Sequence, residues 1–420
     1  MKRVLEVRRG GERVGVLTFT KTGDASLRYT TAFLGQREAG RPGLSCSLPV
    51  SSAASSATAW CRGLLPEGEA LRLLAADLRV SMFDTHALLE RHGRDVAGAF
   101  EIVDRSGGSH REAGLAAYSS ASLIDHVAEV ATGEHPLGVQ DDSELSLAGV
   151  QNKLLLVETE AGWARPVHGY PSTHLLKTDH AVHRGVVNAE HAALAFARQI
   201  GLPAVESEVV TLGDVRCIIV KRFDRTQRVG AVDRLHQEDL LQALGLDPTT
   251  RGGRMKYQRV GAEPPSLWHL ADLLKRFGNQ EELIVLLTFV VFNALIGNGD
   301  AHAKNFSLMI QDDGTVRLAP LYDTVPTLLW PSLKDRNALW VGNEPTLSRT
   351  TGASLTREAM RWGIHGSLAE EVVRTVVRAA RLGLESIEHQ GLRDLVRANS
   401  ERIGSSLCNV LGLHICRTDV

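Results

Sequence analysis

The chain has 420 residues, of which 43% are hydrophobic and 23% are charged, a composition typical of a globular protein. This length exceeds what one hydrophobic core ordinarily organises, so we expect two or three domains. The net charge of −2 argues against nucleic-acid binding through a broadly basic surface, although it leaves room for a local basic patch.

The cysteines and the apolar stretches indicate the compartment. The five cysteines are scattered, and none forms a Cys-x-x-Cys pair, which argues against a structural zinc site and favours a reducing cytoplasm. The first residues alternate apolar and charged side chains and lack the apolar core of a signal peptide. The most apolar run, residues 283–295, is shorter than the roughly 20 residues of a membrane span. We expect a cytoplasmic protein with no membrane association.

The amino-terminal third mixes strand and helix patterns. Residues 1–35 alternate in VLEVRR and RVGVLTFT, with GG and TGD as turns, which predicts a β-meander. Residues 45–60 are rich in serine and alanine and are typical of a loop. Residues 71–92 show helical spacing, and AGAFEIV then resembles a further strand. The polar residues 106–145 mark a boundary between domains.

The remaining chain passes from strands to helices. SLAGVQNKLLLVET, THLLK and RCIIVKRFDR predict strands, with one helix between them in NAEHAALAFARQIG. FSLMI and VRLAP predict a strand pair joined by an Asp-Gly turn. We expect further helices near residues 237–244, 266–277, 281–296, 356–363, 367–382 and 388–411. The predicted segments are residues 1–105, a β-rich part at 106–225 and a helical part at 226–420.

The densest cluster of polar residues follows the apolar run, in GNGDAHAKNFSL. Asp300 and Asn305 have the spacing of a pair used in phosphoryl transfer. There the carboxylate accepts the proton of the attacking hydroxyl, and the amide oxygen holds a Mg²⁺ that bridges the phosphates. His302 and Lys304 can neutralise phosphate charge. A capped, solvated loop is the alternative, because Asp-x4-Asn alone is common.

Single residues elsewhere fit the same chemistry. Asp323 follows the strand pair, where a second metal-binding carboxylate is expected. Lys177 ends an apolar strand and can direct its ammonium at phosphates, with Glu190 on the next helix as an ion-pair partner. Each has a plain alternative: an aspartate in a turn, a lysine extended along the surface and a surface glutamate.

Two segments offer a phosphate loop and a nucleotide hinge. In SLAGVQNK, residues 146–153, small side chains let backbone amides approach phosphate oxygens. In IIVKRFDR, residues 218–225, an apolar strand opens into charged residues, so its backbone can bond an adenine and Asp224 a ribose hydroxyl. A turn at a strand start and an edge strand with a charged end are the alternatives. Together these features follow the sequence order of a bilobal kinase.

These stretches resemble the HipA-type serine/threonine kinase toxins of bacterial toxin–antitoxin modules. The matching stretches extend from residue 64 to residue 327 and are LLPEGEALRLLA, LLERHGRDVAGAFEIV, SLAGVQNKLLL, STHLLKTD, NAEHAALAFARQIGLP, VKRFDR, HQEDLLQALG, GNGDAHAKNFSL and LAPLYDTVPT. The resemblance implies an α+β, bilobal, protein-kinase-like fold. It would have a β-rich N-terminal lobe with an extra N-terminal subdomain, and an all-α C-terminal lobe.

The resemblance also implies an enzyme that uses ATP and Mg²⁺. Matched by position, Asp300 is the catalytic base, Asn305 and Asp323 are metal ligands, and Lys177, paired with Glu190, contacts phosphates in a cleft between the lobes. The implied ATP-binding residues are Ala148, Gly149, Val150, Gln151, Asn152, Lys153, Lys177, Lys221, Arg222, Phe223, Asp224, His302, Ala303, Lys304, Asn305, Tyr322 and Asp323. Ser146 is the implied autophosphorylation site, where about −1.5 to −2 added charges would repel ATP and switch the enzyme off.

The resemblance implies partners as well. They are a HipB-like helix-turn-helix antitoxin, operator DNA bound through that antitoxin, and a protein substrate of the translation apparatus such as an aminoacyl-tRNA synthetase. Phosphorylation of that substrate would arrest growth and produce persistence. Residues 1–105 correspond to the long form of the family rather than the split form. MKYQRVGAEPPSLWHL keeps Lys256 and Tyr257 but lacks a glycine pair frequent in the family, and EHPLGVQDDSEL places acidic charge beside the phosphate loop.

Two other functions stay open from the sequence. A small-molecule kinase of the aminoglycoside or lipid type shares the Asp-x4-Asn pair and the later metal aspartate, although SLAGVQNK argues against it. A non-catalytic co-repressor would use a kinase-like body to bind antitoxin and DNA. The presence of Lys177, Asp300, Asn305 and Asp323 argues against that second alternative.

Overall fold

The computed structural model describes residues 3–104, 112–132, 153–179, 182–228, 230–250, 254–259 and 263–407. Ser146 and residues 148–152 of the predicted phosphate loop lie outside these ranges. The chain divides into two compact units. The first unit comprises Met1–Val187, Ser207–Met255 and Ser307–Ala319, and the second comprises Asn188–Glu206, Lys256–Phe306 and Pro320–Val420. The predicted segments 1–105, 106–225 and 226–420 stay a prediction.

The strands and helices of the described ranges are as follows in chain order. The strands are β1 (Arg3–Arg9), β2 (Glu12–Phe19), β3 (Ala25–Tyr29), β4 (Pro42–Ser45), β5 (Leu48–Pro49), β6 (Ser55–Ser56), β7 (Glu101–Asp104), β8 (Gly114–Ala117), β9 (Lys153–Thr159), β10 (Gly162–Val167), β11 (His174–Thr178), β12 (Ser207–Leu212), β13 (Val215–Lys221), β14 (Arg225–Arg228), β15 (Ala231–Arg234), β16 (Gln237–Asp239), β17 (Ser307–Ile310) and β18 (Val316–Leu318). The α-helices are α1 (Thr31–Gly35), α2 (Thr58–Gly63), α3 (Gly68–Asp77), α4 (Thr85–His92), α5 (Ser120–Thr132), α6 (Val186–Gln199), α7 (Leu240–Ala243), α8 (Leu267–Phe277), α9 (Gln280–Ile296), α10 (Gly352–Arg361), α11 (Gly366–Leu382) and α12 (Gln390–Ser405).

A five-stranded antiparallel sheet organises the amino-terminal part of the first unit. Its order is β6-β3-β2-β1-β7. Leu17 of β2 is the register partner of both Leu5 and Leu27, so these three side chains share one face, and all are buried. Trp60 and Leu74 from the neighbouring helices complete this apolar core. The predicted β-meander over residues 1–35 is confirmed, because β1, β2 and β3 pair in sequence.

Two stretches contain more secondary structure than the sequence predicted. The predicted loop at residues 45–60 contains β5, β6 and the start of α2, because Trp60 and Cys61 are apolar enough to bury a short helix. The polar region at residues 106–145 contains β8 and α5 in its described part. Leu123, Val127 and Val130 lie on one buried face of α5. The other side of that helix is more polar, so the sequence analysis did not predict a helix there.

A six-stranded sheet forms the second layer of the first unit, in the order β12-β13-β11-β9-β10-β8. Leu154 and Leu156 of β9 pack in a core with α5 on one side of this strand. Leu155, between them, belongs to the other core, that of the amino-terminal sheet. β9 is therefore buried on both faces, which explains why residues 154–157, LLLV, are continuously apolar rather than alternating.

Residues 236–239, HQED, form hydrogen bonds with the amino-terminal domain and contribute β16 to a third sheet, β16-β17-β18. His236 Nε2 lies 2.9 Å from the backbone oxygen of Leu44, and the Cys46 N–H donates to Glu238 Oε1 at 2.8 Å. Asp239 caps α7 by accepting from the Gln242 N–H at 2.9 Å. The helix predicted over residues 237–244 begins only at Leu240, because residues 237–239 form β16 and pair with β17.

The second unit is helical and is built around α9. Its residues 289–296 are all buried, so the C-terminal half of this helix is enclosed on every side. The helices predicted over residues 266–277, 281–296 and 367–382 are confirmed as α8, α9 and α11. No helix in the described part of the chain is long and apolar enough to cross a membrane. Helices and sheets together confirm the predicted α+β class.

The two C-terminal helix boundaries differ from the prediction. α10 begins at Gly352, four residues before the predicted start, because Thr351 and Ser354 form a reciprocal capping box. α12 begins at Gln390 and ends at Ser405, and the part of its predicted range beyond residue 407 lies outside the described residues.

Glu238 makes the stability of the first unit depend on pH. Burial raises the pKa of this carboxyl from 4.5 to about 7. A raised folded-state pKa gives a stabilising contribution that is complete below pH 4.5 and is lost as the pH rises through 7. We expect Glu238→Gln to raise the free energy of unfolding at pH 8 by roughly 1–3 kcal/mol and to change it little at pH 4.5.

Urea unfolding of the wild type and the variant at both pH values measures this difference, with the exposed Glu12→Gln as the matched control. An equal difference between wild type and Glu238→Gln at the two pH values would contradict the assignment.

Candidate active site

Residues 297–305 contain the predicted base and begin where α9 ends; because of that prediction we call them the catalytic segment. Gly297 stops the helix with a left-handed φ of 71°. The Asn298 amide group donates to Asn293 Oδ1 at 2.8 Å, and Asn298 Oδ1 accepts from the Asp300 N–H at 3.0 Å. Asn293 is itself bonded to the helix backbone one turn earlier. A relay of amide groups therefore runs from the buried helix to the backbone of Asp300.

Thr327 supports the catalytic segment from a second direction. Its hydroxyl accepts from the Gly299 N–H at 2.7 Å and donates to the Gly297 carbonyl at 3.2 Å. A Cβ on Gly299 would lie 2.8 Å from the backbone oxygen of Arg336, so glycine is the residue that fits here. The segment is consequently held on both sides by hydrogen bonds from the second unit itself.

Tyr257 joins the site from a separate stretch of chain. Its hydroxyl donates to Asp300 Oδ1 at 3.0 Å, and its ring packs edge-on against His302 with 5.5 Å between centroids. Two cationic groups lie near the same ring: Arg336 at 5.6 Å and Lys256 at 5.8 Å from its centroid. The Lys256-Tyr257 pair, which the sequence analysis gave no role, is thus part of the environment of the predicted base.

Asn305 is oriented by the backbone of the predicted base. Its Nδ2 group donates to the Asp300 carbonyl at 2.9 Å. Because a carbonyl can only accept, the amide nitrogen must face it, and Oδ1 is the atom left for a cation. The Tyr322 hydroxyl donates to the Lys304 carbonyl at 2.7 Å, which ties the residue before Asp323 to the catalytic segment.

The residues present fit a magnesium ion. Asn305 and Asp323 offer hard oxygen donors, and one or two such donors suffice because Mg²⁺ retains several water ligands. Asp323 has a φ of 52°, a conformation that is uncommon outside glycine and that concentrates at functional sites. In the described ranges, no group of three or more His, Cys, Asp or Glu side chains is placed to hold a metal ion.

The lysines predicted to contact phosphates lie side by side in the first unit. Lys177 of β11 is the register partner of Lys153 of β9. Direct partners in an antiparallel pair project from the same face with Cβ atoms about 5 Å apart. The two lysine side chains therefore start from the same face of the central strands, and their predicted contacts with phosphates stay a prediction.

The segment predicted as the hinge lies at the end of β13. The Arg222 N–H donates to the Thr173 carbonyl at 2.9 Å, which extends the pairing of Lys221 with β11. The Arg222 guanidinium bonds both carboxylate oxygens of Asp224, at 2.9 and 2.8 Å, and the Gly98 N–H donates to Asp224 as well. These partners bury Asp224 and give it a structural role. Its predicted contact with a ribose hydroxyl stays a prediction.

The structure thus brings the predicted residues together in two groups. In the second unit, hydrogen bonds join Asn305 to Asp300 and Tyr322 to Lys304, and Asp323 directly follows Tyr322 in the chain. His302 and Lys304 are buried. In the first unit, Lys153, Lys177 and the hinge lie on adjacent strands. Glu190 is a buried residue of α6 in the second unit, so its predicted pairing with Lys177 stays a prediction.

Sequence reasoning missed three residues of the catalytic environment: Tyr257, Thr327 and Asn293. Tyr257 precedes Asp300 by 43 positions and Thr327 follows Gly299 by 28, so spacing along the chain gave no signal for either. Asn293 was detectable in principle, because it is a buried polar residue within an otherwise apolar helix.

Comparison with known proteins agrees with this description. Residues 5–103 match the HipA N-terminal domain, and residues 145–383 match the HipA-like C-terminal domain. "Putative kinase Y4mE" of Sinorhizobium fredii is 33% identical over 431 residues, covering 96% of this chain and 99% of that protein. The serine/threonine-protein kinase toxin HipA of Shewanella oneidensis is 29% identical over 355 residues, covering 81% of this chain and 79% of the relative.

A solved structure shares the fold. The Shewanella oneidensis complex of HipA, HipB and operator DNA matches with a TM-score of 0.81 and 24% identity, covering 98% of this chain and 100% of that chain. The shared fold, together with these kinase relatives, defines the chain as a kinase. More particularly, the chain belongs to the HipA family of toxin–antitoxin kinases.

The hydroxyl of Thr327 can be tested separately from its packing. Thr327→Val keeps the shape of the side chain but leaves the Gly299 N–H without its acceptor, so we expect a loss of about 1–3 kcal/mol in the free energy of unfolding. Thr327→Ser keeps the hydroxyl and should lose less. Urea titration of both variants measures this difference, and equal losses would show that the hydroxyl contributes nothing.

Proposed function

We propose that this chain is a serine/threonine-protein kinase toxin of a type II toxin–antitoxin module. The observation that carries the proposal is the hydrogen bond from the Asn305 side chain to the Asp300 carbonyl, which locks a metal ligand and a base into one segment. A second support is the amide relay that fixes the Asp300 backbone to a buried helix. Such rigid placement is what phosphoryl transfer requires, because positioning and charge stabilisation supply most of its catalysis.

The chemistry assigns one task to each group. Asp300 accepts the hydrogen bond of the substrate hydroxyl and takes its proton as the new oxygen–phosphorus bond forms. The bond from the γ-phosphorus to the bridging oxygen of ATP breaks, and ADP leaves with that electron pair. Asn305 and Asp323 would hold Mg²⁺, which when bound neutralises charge on the β- and γ-phosphates.

The remaining groups orient and bind. Tyr257 holds the Asp300 carboxylate through one oxygen, which leaves the second oxygen for the substrate hydroxyl. Lys153 and Lys177 provide the positive charge for the α- and β-phosphates, and the backbone of residues 221–223 provides polar groups for the adenine. His302 and Lys304 lie between the base and the metal ligand in the same segment. Lys304 adds positive charge where phosphate oxygens gather, and His302 adds a polar group.

We further propose an off-switch at Ser146. A phosphoserine there would add about −1.5 to −2 charges at the start of the loop that binds ATP phosphates, and like charges would repel. The same kinase reaction supplies this modification, so the enzyme limits its own activity.

The proposed partners are a HipB-like antitoxin, operator DNA and a protein of the translation apparatus. The solved relative contains HipA, HipB and operator DNA, and the present chain matches that HipA along nearly its whole length. A net charge of −2 favours contact with DNA through the antitoxin rather than through a basic surface of the kinase. An aminoacyl-tRNA synthetase is the proposed substrate class, because its phosphorylation would deprive the ribosome of charged tRNA and arrest growth.

Autophosphorylation tests the catalytic assignment directly. After incubation with Mg-ATP, we expect mass spectrometry to find phosphate on Ser146 of the wild type. Asp300→Asn removes the base but keeps the size of the side chain, so the rate should fall by roughly 10²–10⁴-fold. Asp313→Asn, an exposed aspartate of the β17–β18 turn, is the matched control and should behave as wild type. Equal phosphate on wild type and Asp300→Asn would exclude Asp300 as the base.

Growth arrest separates a kinase toxin from the other candidate functions. Expressed without antitoxin, the wild type and Asp313→Asn should stop growth, and Asp300→Asn should not, because arrest requires phosphoryl transfer. Co-expression of the antitoxin should restore growth. Colony counts after induction measure the effect, and arrest by Asp300→Asn would instead indicate a non-catalytic co-repressor. Phosphate transfer to an aminoglycoside, with no phosphoprotein formed, would support the small-molecule kinase.

A further inference from the structure

A buried cluster of charged side chains connects the amino-terminal domain to the predicted hinge. We call it the Asp95 cluster, and its members are Asp95, Arg222, Asp224, Arg225 and Arg234. The side chains of Asp95, Arg222, Asp224 and Arg225 are at most 5% exposed. All members belong to the first unit, yet Asp95 lies in the HipA N-terminal domain and the others in the HipA-like C-terminal domain.

Asp95 is the centre of the cluster. Its Oδ1 accepts from Arg225 at 3.0 Å and from Arg234 at 3.4 Å, and it lies 3.8 Å from the Arg222 guanidinium. Its Oδ2 accepts from the backbone N–H of Ser172 at 3.0 Å. Burial by itself raises the pKa of Asp95, but the three arginines outweigh that effect and hold the pKa below its usual value. Asp95 is therefore ionised.

The cluster is neutral once one more carboxylate is included. Arg234 also pairs with Glu101 at 3.2 Å, so the carboxylates of Asp95, Asp224 and Glu101 balance the three guanidinium groups. Apolar packing could hold two domains together equally well, so stability alone does not account for the ion pairs. Removal of one partner would leave a buried charge unpaired, which is strongly unfavourable. Balanced ion pairs with fixed bonding directions instead specify one geometry.

That geometry is transmitted to the backbone on both sides. The Val96 carbonyl accepts from Arg222 at 3.3 Å and from Arg225 at 2.8 Å. The Gly98 carbonyl accepts from Arg225 at 3.0 Å. Arg222 also donates to Ser172 Oγ at 2.8 Å, on the segment that enters β11. The chain at residues 222–225 is thereby fixed against residues 95–98 of the amino-terminal domain.

We propose that Asp95 is a positioning residue for the nucleotide hinge, so that the amino-terminal domain belongs to the ATP-binding apparatus. The proposal rests on the proposed function, because residues 221–223 bind adenine only if the chain is a kinase. Arg222 is both a hinge residue and a member of the Asp95 cluster. Backbone groups that recognise an adenine must be held within about 0.5 Å, which a supporting shell of locked side chains achieves.

Asp95→Asn tests the proposal because it removes the charge and keeps the shape. We expect the Kd of a non-hydrolysable ATP analogue, measured by calorimetry, and the KM for ATP to rise roughly tenfold. The kcat at saturating ATP should stay within about threefold, since the catalytic segment is untouched. Asp312→Asn is the matched control, because Asp312 pairs with Arg9 and Arg37 of the same amino-terminal domain but does not contact the hinge.

A second variant covers the case in which Asp95→Asn does not fold, which thermal unfolding reveals. Ser172→Ala removes one acceptor from Arg222 and should raise the same Kd by roughly two- to fivefold. An unchanged Kd in folded Asp95→Asn, or in Ser172→Ala if the first variant is unfolded, overturns the proposal. A wild type that binds the analogue but transfers no phosphate would refute the proposed function instead, so the two failures are distinguishable.

Discussion

The position of Asp300 depends on hydrogen bonds that begin inside a buried helix. A polar residue in the middle of an apolar helix is costly unless it is bonded, and Asn293 is bonded to the helix backbone and to Asn298. Asn298 then holds the Asp300 N–H, and Asn305 holds the Asp300 carbonyl. Because α9 is held in place by its packing, these hydrogen bonds fix the position of the exposed Asp300 relative to the core of the unit.

The first unit applies the same principle with charges. The strands that carry Lys153 and Lys177 are central in their sheet, and the strand end at Lys221 is continued by a buried ion-pair cluster. In both units a functional group at the edge of a regular element is supported by polar groups from a distant part of the chain. Regular structure supplies the rigid base, and long-range hydrogen bonds set the direction.

The sequence predicted the elements whose signal is local. The meander β1–β3 and the helices α8, α9 and α11 follow from periodicity and caps. The site predicted at Asp300 and Asn305 was proposed from their spacing. α5 was missed because its apolar face is narrow within a polar stretch, and β16 was taken for helix because three residues carry too little periodicity. The structural contacts of Asp224 were not predicted, because its partner Gly98 lies 126 positions away. Contacts of that range leave no trace in a single sequence.

β9 has a consequence for how the chain can be divided. Each face of this strand packs in a different apolar core. Leu155 faces the core of the amino-terminal sheet, and Leu154 and Leu156 face the core that contains α5. A chain that lacked the amino-terminal domain would therefore expose the apolar face of β9 that carries Leu155. Such a fragment would tend to aggregate or to recruit a chaperone, unless the missing domain were provided in trans.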